Sequence, residues 1–310
     1  MAQTPNPFTN RGPVTNPEDF FGRKEELATI LSRLQSLQCV SIVGERRIGK
    51  SSLLYHLSQT GTAQLDDKRY HFAYCSLQDA HYQSLPGFCA TILKRLGMEG
   101  DAITANQSPA ENLIAFTDLL EAASERDERL VICLDEFEET FKRPAEFGNG
   151  FFEHLRSQLE LSKFVFVTAS REPLQKLKLD GKLTSPFDNI FTKVELGDFT
   201  AEEAAEFIAH YDAQVNFTDA ENRFIASYFE LHPLRLRILC DQVLSNRRRQ
   251  WSDGDLAEAL GEAYGDFFPD RADEYKALAK RSVSLDNIGK VLGLIKQARD
   301  LFTGKGDDKK

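Results

Sequence analysis

Five short and almost continuous apolar runs alternate with helical patterns over the first two-thirds of the 310-residue chain. Strands that are apolar on both faces and alternate with helices are typical of a parallel sheet covered by helices on both sides. We therefore predict an α/β domain with a three-layer α/β/α architecture. Its strands are expected at residues 39–43, 70–75, 130–134, 164–168 and 190–196.

The strand signal ends after Leu196, and helical patterns occupy the rest of the chain. Thr200 and Glu203 have the spacing of a capping box, which marks the start of a helix. A boundary near residue 197 is expected to separate the α/β domain from an all-helical lid domain. The predicted division is an extended N-terminal arm over 1–19, the α/β domain over 20–197, the helical domain over 198–302 and a disordered tail over 303–310.

The composition excludes several classes of protein. A hydrophobic fraction of 41% and a charged fraction of 28% are those of a globular chain, not a disordered or fibrous one. No stretch approaches the roughly 18 apolar residues of a membrane span, and the N-terminus lacks the pattern of a signal peptide, so the cytoplasm is the expected compartment. The net charge of −10 disfavours indiscriminate binding to polyanions. Neither the five cysteines nor the six histidines have the spacing of a zinc site.

Residues 44–51, Gly-Glu-Arg-Arg-Ile-Gly-Lys-Ser, fit the phosphate-binding pattern G-x-x-x-x-G-K-[ST]. The motif directly follows the first strand and opens a helix, so backbone N–H groups and the positive helix end can converge on phosphate oxygens. Lys50 is expected to reach the β- and γ-phosphates of ATP, and Ser51 to bind Mg²⁺. Arg46 and Arg47 either neutralise phosphate or face solvent. The predicted nucleotide-binding residues here are Gly44, Glu45, Arg46, Arg47, Ile48, Gly49, Lys50, Ser51 and Ser52.

The strand at 130–134 runs directly into two carboxylates, Asp135 and Glu136. We expect Asp135 to hold Mg²⁺ together with Ser51, and Glu136 to polarise the water that attacks the γ-phosphate. Glu138 and Glu139, which follow, are interpreted as the solvated start of a helix.

Polar residues also follow the strand at 164–168, at the carboxyl edge where open α/β sheets bind ligands. Thr168 or Ser170 is expected to sense the γ-phosphate by hydrogen bonding. For Arg171 two interpretations stay open: it stabilises charge at the γ-phosphate, or it forms a surface salt bridge.

Residues 20–27, Phe-Phe-Gly-Arg-Lys-Glu-Glu-Leu, resemble the hhGRExEL box that precedes the phosphate loop in STAND signal-transduction ATPases. The segments 44–54, 168–171 and 185–191 and the pair His232-Pro233 are also similar to this class. From residue 8 to about 245 the chain therefore resembles an archaeal-ATPase-like STAND NTPase, on the AAA+/ASCE side of the P-loop superfamily. Two positions depart from its patterns: Lys24 replaces the first Glu of the box, and Leu231 replaces the Gly that usually precedes His-Pro.

The resemblance implies a sheet of strand order 5-1-4-3-2 and an ATP/ADP switch with slow, regulatory hydrolysis. It places Phe21, Gly22 and Arg23 beside the adenine, with Pro233 closing over it. It also places His232 near the phosphates as a sensor of the nucleotide. The alternative for His232 is a helix-start residue that is hydrogen-bonded locally.

Members of this class usually continue into a winged helix and repeat or effector domains, whereas about 60 residues follow Arg249 here. We therefore expect a separately encoded sensor or effector protein to dock on the last helix or on 267–269, with homo-oligomerisation on ATP binding and no membrane partner. Arg143 and Arg156 are candidates for an arginine finger acting on a neighbouring subunit.

Two alternative functions remain open at this point. The first is an AAA+ DNA-handling ATPase of the origin-recognition or transposition-helper type, binding nucleic acid through residues 247–249. These three arginines are otherwise expected to be solvated and to complement the dipole of their helix. The second is a non-enzymatic scaffold that keeps nucleotide only as a structural cofactor, which Lys50, Asp135 and Glu136 disfavour.

Overall fold

The structure is a computed structural model that describes residues 6–180, 184–277 and 284–302. The chain divides into two compact units. Pro13–Gly197 form the α/β unit, and the residues up to Gly12 together with those from Asp198 onward form the helical unit. The tail predicted to be disordered, 303–310, lies outside the described residues.

The α/β unit is built on a five-stranded sheet of order β2-β3-β4-β1-β5, in which every pairing is parallel. Read from the other edge, this is the predicted order 5-1-4-3-2, so the predicted fold class is confirmed. All residues of β1 and β4 are buried, as expected for central strands covered on both faces. The strands are β1 Cys39–Val43, β2 Tyr70–Ser76, β3 Arg129–Asp135, β4 Val165–Ser170 and β5 Phe191–Glu195.

Helices connect these strands and cover the sheet. Ser108 and Glu111 form a complete capping box at the start of α4, one example of how local side chains fix the helix starts. The helices of the unit are α1 Lys24–Gln35, α2 Lys50–Gln64, α3 Leu85–Arg95, α4 Pro109–Glu125, α5 Glu138–Phe141, α6 Asn149–Glu160 and α7 Leu174–Asp180.

The strand register brings the carboxyl ends of four strands to one edge of the sheet. Val43 of β1 is paired with Ser170 of β4 and Glu195 of β5. Leu134 of β3 is paired with Thr168 of β4. The phosphate motif after β1 therefore emerges beside the polar residues that end β3 and β4.

The helical unit contains α8 Ala201–Val215, α9 Asp219–Ser227, α10 Pro233–Arg249, α11 Asp253–Phe267, α12 Ala272–Lys276 and α13 Leu285–Phe302. The predicted capping box of Thr200 and Glu203 is present at the start of α8. In the described parts of the chain, no helix combines the length and apolarity that a membrane span requires.

Residues 6–12 pack within the helical unit, although about 190 positions separate them from the rest of it. The ring of Phe8 is fully buried, with its centroid 4.8 Å from that of Tyr211 on α8. Asn6 donates a 2.7 Å hydrogen bond to Asp241 on α10, and Arg11 pairs with the same carboxylate. The segment is therefore anchored by one aromatic ring and two polar side chains.

The last helix, α13, packs against α8 and α9. Ile295 and Ala298 are buried, and Arg299 forms a 2.7 Å ion pair with the buried Asp212 of α8. This part of the expected docking face is therefore covered by the unit's own helices. The second expected docking element is also packed, since the ring of Phe268 contacts Tyr275 of α12.

Candidate functional site

The phosphate loop depends on two glycines where β1 turns into α2. A Cβ atom on Gly44 would lie 2.7 Å from the carbonyl oxygen of Leu196, closer than real Cβ atoms approach backbone. Gly49 has φ +106°, in the left-handed region that favours glycine. The two glycines thus let the loop pass close to β5 and place the N-terminus of α2 at the carboxyl edge of the sheet.

The variable positions of the loop differ in burial. Glu45 and Arg46 are exposed, Arg47 is half-buried, and Ile48 is buried. Arg47 has a φ of +68°, and burial followed by the charge of Arg46 lowers the pKa of its guanidinium. The two arginines therefore form a positive tip on the loop.

Lys50 closes the loop from inside. Its ammonium donates to the carbonyl oxygens of Gly44, at 2.8 Å, and Glu45, at 2.9 Å. Burial lowers the pKa of Lys50, while the negative charges of Glu138, Glu136 and Asp135 act in the opposite direction. The ammonium is thus held beside the loop backbone and faces a group of carboxylates. The structure brings together the two motifs that the sequence predicted to cooperate.

Asp135 ends β3 with a buried carboxylate. Burial raises its pKa, and hydrogen bonds from Ser51 and Tyr74 lower it, with a net value above the ordinary 3.8. The bond from the Tyr74 hydroxyl to Asp135 Oδ2 measures 2.8 Å. A hydroxyl beside a carboxylate is an oxygen-only donor set of the kind that Mg²⁺ prefers. The residues therefore fit a magnesium ion held by Ser51 and Asp135.

Glu136 forms a tight turn directly after β3. Its φ is +54°, uncommon for a residue other than glycine, and its N–H donates to Asp135 Oδ1 at 3.0 Å. The next N–H, of Phe137, donates to the carbonyl of Ala169 on β4 at 2.8 Å. The turn is thus fixed to both neighbouring strand ends, with Glu136 half-buried.

Glu138 is not solvated, contrary to the sequence prediction. It is 6% exposed, and Nε of Arg171 lies 3.6 Å from its Oε1. Burial raises the pKa of Glu138, and the nearby charge of Glu136 raises it further. Glu139 is half-buried, with a side chain 14% exposed that pairs with Lys142 and Arg143. The prediction was wrong for Glu138 because the left-handed turn at Glu136 changes the direction of the chain at the start of α5. A hydropathy pattern cannot indicate this burial, since it treats every carboxylate as exposed.

The polar residues at the end of β4 differ in what their side chains do. Thr168 is fully buried, and its hydroxyl has no hydrogen-bond partner among the described residues. The hydroxyl of Ser170 donates to the carbonyl of Glu172 at 2.7 Å. Arg171 is half-exposed and forms an ion pair with Glu138, which is buried, so the pair is not the surface salt bridge that one interpretation expected. The role of Arg171 at the γ-phosphate stays a prediction. Thr168 is therefore the better candidate for a phosphate sensor.

The box at 20–27 contacts the phosphate loop directly. Arg23 is 3% exposed, with Nη1 3.1 Å from the carboxylate of Glu26. Nη2 donates to the carbonyl of Ile48 at 3.1 Å. The sequence did not predict this link, in which Arg23 fixes the loop backbone. The expected adenine contacts of Phe21, Gly22 and Arg23 stay predictions.

Two further contacts join α2 to the start of the box and to the segment before it. The N–H of Val14 donates to the Ser52 hydroxyl at 3.0 Å. The ring of Phe20 stacks on His56 with a centroid distance of 4.2 Å. Ser52, predicted as a nucleotide-binding residue, thus also holds the incoming chain.

His232 caps α10 in the helical unit. Its Nδ1 accepts from the N–H groups of Leu234, at 3.2 Å, and Arg235, at 3.4 Å. Pro233 is the first residue of the helix, where proline is favoured. The local hydrogen bonding expected in the alternative interpretation is therefore present. The nucleotide-sensing role of His232 and the adenine contact of Pro233 stay predictions.

The arginines considered for nucleic acid or for a finger have partners inside their own units. Arg247 donates to the carbonyl of Asn216, at 2.8 Å, and pairs with Glu221 at 2.7 Å. The guanidinium of Arg249 lies 4.5 Å from the centre of the Trp251 ring. The finger candidates pair along their helices or turns, Arg143 with Glu139 and Arg156 with Glu160.

A family model described as novel STAND NTPase 1 matches residues 14–227, more than half of the chain. The chain belongs to this family. The match includes the box at 20–27, the phosphate loop and the strand ends described above. A search of curated proteins gives no significant match.

Solved structures similar to this STAND NTPase include a Walker-type ATPase and two ORC proteins. The Walker-type ATPase of Pyrococcus abyssi has a TM-score of 0.60 at 15% identity, over 94% of this chain and 93% of that one. The ORC2 protein of Aeropyrum pernix, solved as ADPNP–ADP complexes, has 0.54 at 16%, over 92% and 70%. The ORC1 protein of the same organism in complex with DNA has 0.53 at 12%, over 90% and 84%. At these identities the likeness establishes the fold.

Proposed function

We propose that this STAND NTPase is a nucleotide-operated switch that binds ATP, hydrolyses it slowly and changes conformation or oligomeric state between its ATP and ADP forms. The observation that carries the proposal is the position of the Lys50 ammonium, which donates to the carbonyl oxygens of Gly44 and Glu45 and faces the carboxylates that follow β3. The phosphate loop and the carboxylates thus lie together, as phosphoryl transfer requires. The similarity to ORC2, solved with ADPNP and ADP, supports an adenine nucleotide as ligand.

Four side chains at the edge of the sheet have roles in this proposal. Lys50 neutralises the β- and γ-phosphates, and the backbone N–H groups of the loop bind their oxygens. Ser51 and Asp135 hold Mg²⁺, which supplies charge neutralisation when bound. Arg171 is half-exposed beside the loop and is available to stabilise charge on the γ-phosphate.

The switch acts, in this proposal, on a separately encoded effector or sensor protein, or through homo-oligomerisation in the ATP form. The chain passes from one unit to the other twice, near Gly12 and near Gly197.

A DNA-handling role is the second candidate, and the similarity to ORC1 in complex with DNA is the observation that favours it. The structural contacts of Arg247 weaken it, because the side chain is committed to Glu221 and to backbone carbonyls. A test of this role is Arg248→Glu with Arg249→Glu, which spares those contacts. Loss of an ATP-dependent, salt-sensitive shift of duplex DNA in this double variant would establish it.

The first experiment identifies the nucleotide. The freshly purified protein is denatured, the released nucleotide is identified and counted, and ATP binding and hydrolysis are then measured. Lys50→Ala is expected to abolish both activities, whereas Lys142→Ala, which removes an exposed lysine paired with Glu139, is expected to leave them unchanged. A wild-type protein that neither contains nor binds adenine nucleotide would contradict the proposal.

A second experiment tests the switch itself. The sedimentation and the hydrogen-exchange pattern of the protein are compared with ADP, with a non-hydrolysable ATP analogue and without nucleotide. We expect the ATP-analogue form to differ from the ADP form in oligomeric state or in exchange within both units. Identical behaviour in the two forms, in a protein that binds both nucleotides, would favour the scaffold interpretation.

A further inference from the structure

We propose that Glu138 is a catalytic carboxylate of this site, which accepts a hydrogen bond from the water that attacks the γ-phosphate of ATP. The sequence assigns that role to Glu136, the residue after Asp135. The inference rests on the proposed function, because it concerns the hydrolysis of ATP at the same phosphate loop.

The first observation is that the Glu138 side chain is buried without hydrogen bonds. It is 6% exposed, and neither carboxylate oxygen has a hydrogen-bond partner within the described residues. A buried carboxylate without donors is unfavourable, and native proteins keep such groups chiefly where they serve a function. Apart from the ion pair with Arg171, which is longer than a hydrogen bond, the two oxygens therefore have free acceptor capacity for a further donor.

The second observation is where this carboxylate lies. Glu138 is one of three carboxylates, with Glu136 and Asp135, whose negative charge acts on the Lys50 ammonium. Nε of Arg171 lies 3.6 Å from Glu138 Oε1, within the range of an ion pair and beyond that of a hydrogen bond. Glu138 thus lies beside the arginine that follows β4 and close enough to the lysine of the phosphate loop to affect its charge.

The third observation is that the backbone fixes Glu138 in place. The neighbouring Phe137 is fully buried, and its N–H is bonded to the carbonyl of Ala169. The hydroxyl of Thr140 donates to the carbonyl of Phe137 at 2.8 Å, which closes the first turn of α5. A carboxylate on so constrained a turn is preorganised, whereas the side chain of Glu136 is half-buried on a left-handed residue.

In the proposed step the water oxygen forms a bond to the γ-phosphorus. The bond between that phosphorus and the β–γ bridging oxygen breaks, and its electron pair stays on ADP. Both protons of the water finish on the released phosphate, so ATP⁴⁻ and H₂O give ADP³⁻ and H₂PO₄⁻. Glu138 accepts a hydrogen bond from the water and thereby aims its lone pair at the phosphorus.

The test is single-turnover hydrolysis of ATP by the full chain, together with the Kd for ATP and the Tm. Glu138→Gln is expected to slow the hydrolysis step by at least about 100-fold, within the range for a positioned carboxylate, while the Kd changes less than about threefold. The Tm is expected to stay or to rise, because the substitution removes a buried charge. Glu139→Gln is the matched control, since Glu139 is adjacent but pairs with Lys142 and Arg143 outside the site.

Three results would overturn the proposal. If Glu138→Gln hydrolyses ATP within about threefold of wild type while Glu136→Gln is inactive, Glu136 alone orients the water. If Glu138→Gln lowers the Tm and the affinity for ATP together with the rate, Glu138 is a structural partner of Arg171. If the wild-type protein binds ATP without any turnover, there is no attacking water to orient, and if it binds no ATP at all, the proposed function itself fails.

Discussion

The hydroxyl of Tyr74 on β2 donates a 2.8 Å hydrogen bond to the carboxylate of Asp135 at the end of β3. The register explains this contact, because Tyr74 is paired with Cys133, and Cys133 and Asp135 lie on the same face of the strand. Tyr74 thus supplies one of the bonds that orient the buried carboxylate.

Tyr74→Phe should weaken the site without emptying it. The change removes one donor from a buried carboxylate, which costs roughly 1–3 kcal/mol of stability when the acceptor loses that partner. We expect a lower free energy of unfolding and weaker binding of Mg²⁺ with ATP, measured by urea denaturation and by calorimetry. Tyr55→Phe is the control, because Tyr55 packs edge-on against Tyr74 and its hydroxyl is not part of this contact. Equal effects of the two substitutions would contradict this role for Tyr74.

Gly44→Ala should be more damaging than its size suggests. The added methyl group would lie 2.7 Å from the Leu196 carbonyl and 2.9 Å from Cγ2 of Ile48, so the loop or β5 must move. We expect loss of ATP binding and destabilisation by about 1–3 kcal/mol, the usual cost of overpacking. Gly150→Ala is the matched control, since nothing lies within 4 Å of its Cβ position at the start of α6. Nucleotide binding by Gly44→Ala with wild-type affinity would show that the loop can adjust.

The sequence was informative where a residue's environment follows from its neighbours along the chain. Buried strands such as β1 and β4 are mostly apolar, and parallel strands must end at a common edge, so a parallel sheet and the meeting of Lys50 with Asp135 were predictable. The strand order was expected only from the resemblance to STAND ATPases. The burial of Glu138 was not, because it depends on one left-handed turn and on contact with β4. The bond from Arg23 to Ile48 joins positions 25 apart, and no local pattern indicates it.

Phe8→Ala should destabilise the helical unit, although Phe8 belongs to the N-terminal segment. Its ring is fully buried between Phe207, Tyr211 and Phe217, all of the helical unit. Truncating a buried phenylalanine costs about 3–5 kcal/mol. We expect faster hydrogen exchange in α8 of the full-length variant, with exchange in β1 and β4 much less affected.

The control for Phe8→Ala is Leu301→Ala, which removes a 69% exposed side chain from α13 of the same unit. Exposed substitutions of this kind change stability by less than about 0.5 kcal/mol. Unchanged exchange in α8 after Phe8→Ala would mean that the N-terminal segment is not part of this core.

The ion pair of Glu221 and Arg247 should stabilise the helical unit near neutral pH, and this stabilisation should be lost in acid. Burial raises the pKa of Glu221. The hydrogen bonds and charge of Arg247 and the N–H of Thr218 lower it by more, so the net pKa is below the ordinary 4.5. A carboxylate with a depressed pKa stabilises the fold above its unfolded pKa, and this contribution is lost as the pH falls. Because Arg247 is 37% exposed, we expect only about 1 kcal/mol.

The measurement is urea unfolding of wild type and Glu221→Gln at a series of pH values. Above about pH 5.5 the wild type should be the more stable, and the difference should shrink as the pH falls through 4.5 towards 3, where the wild-type carboxylate also becomes neutral. Glu202→Gln, at an exposed glutamate in the first turn of α8, is the control and should show a smaller difference. A difference that stays constant from pH 6 to 3 would mean that Glu221 acts through its neutral hydrogen bonds, and that Arg247 contributes to the unit mainly through the carbonyls of Val215 and Asn216.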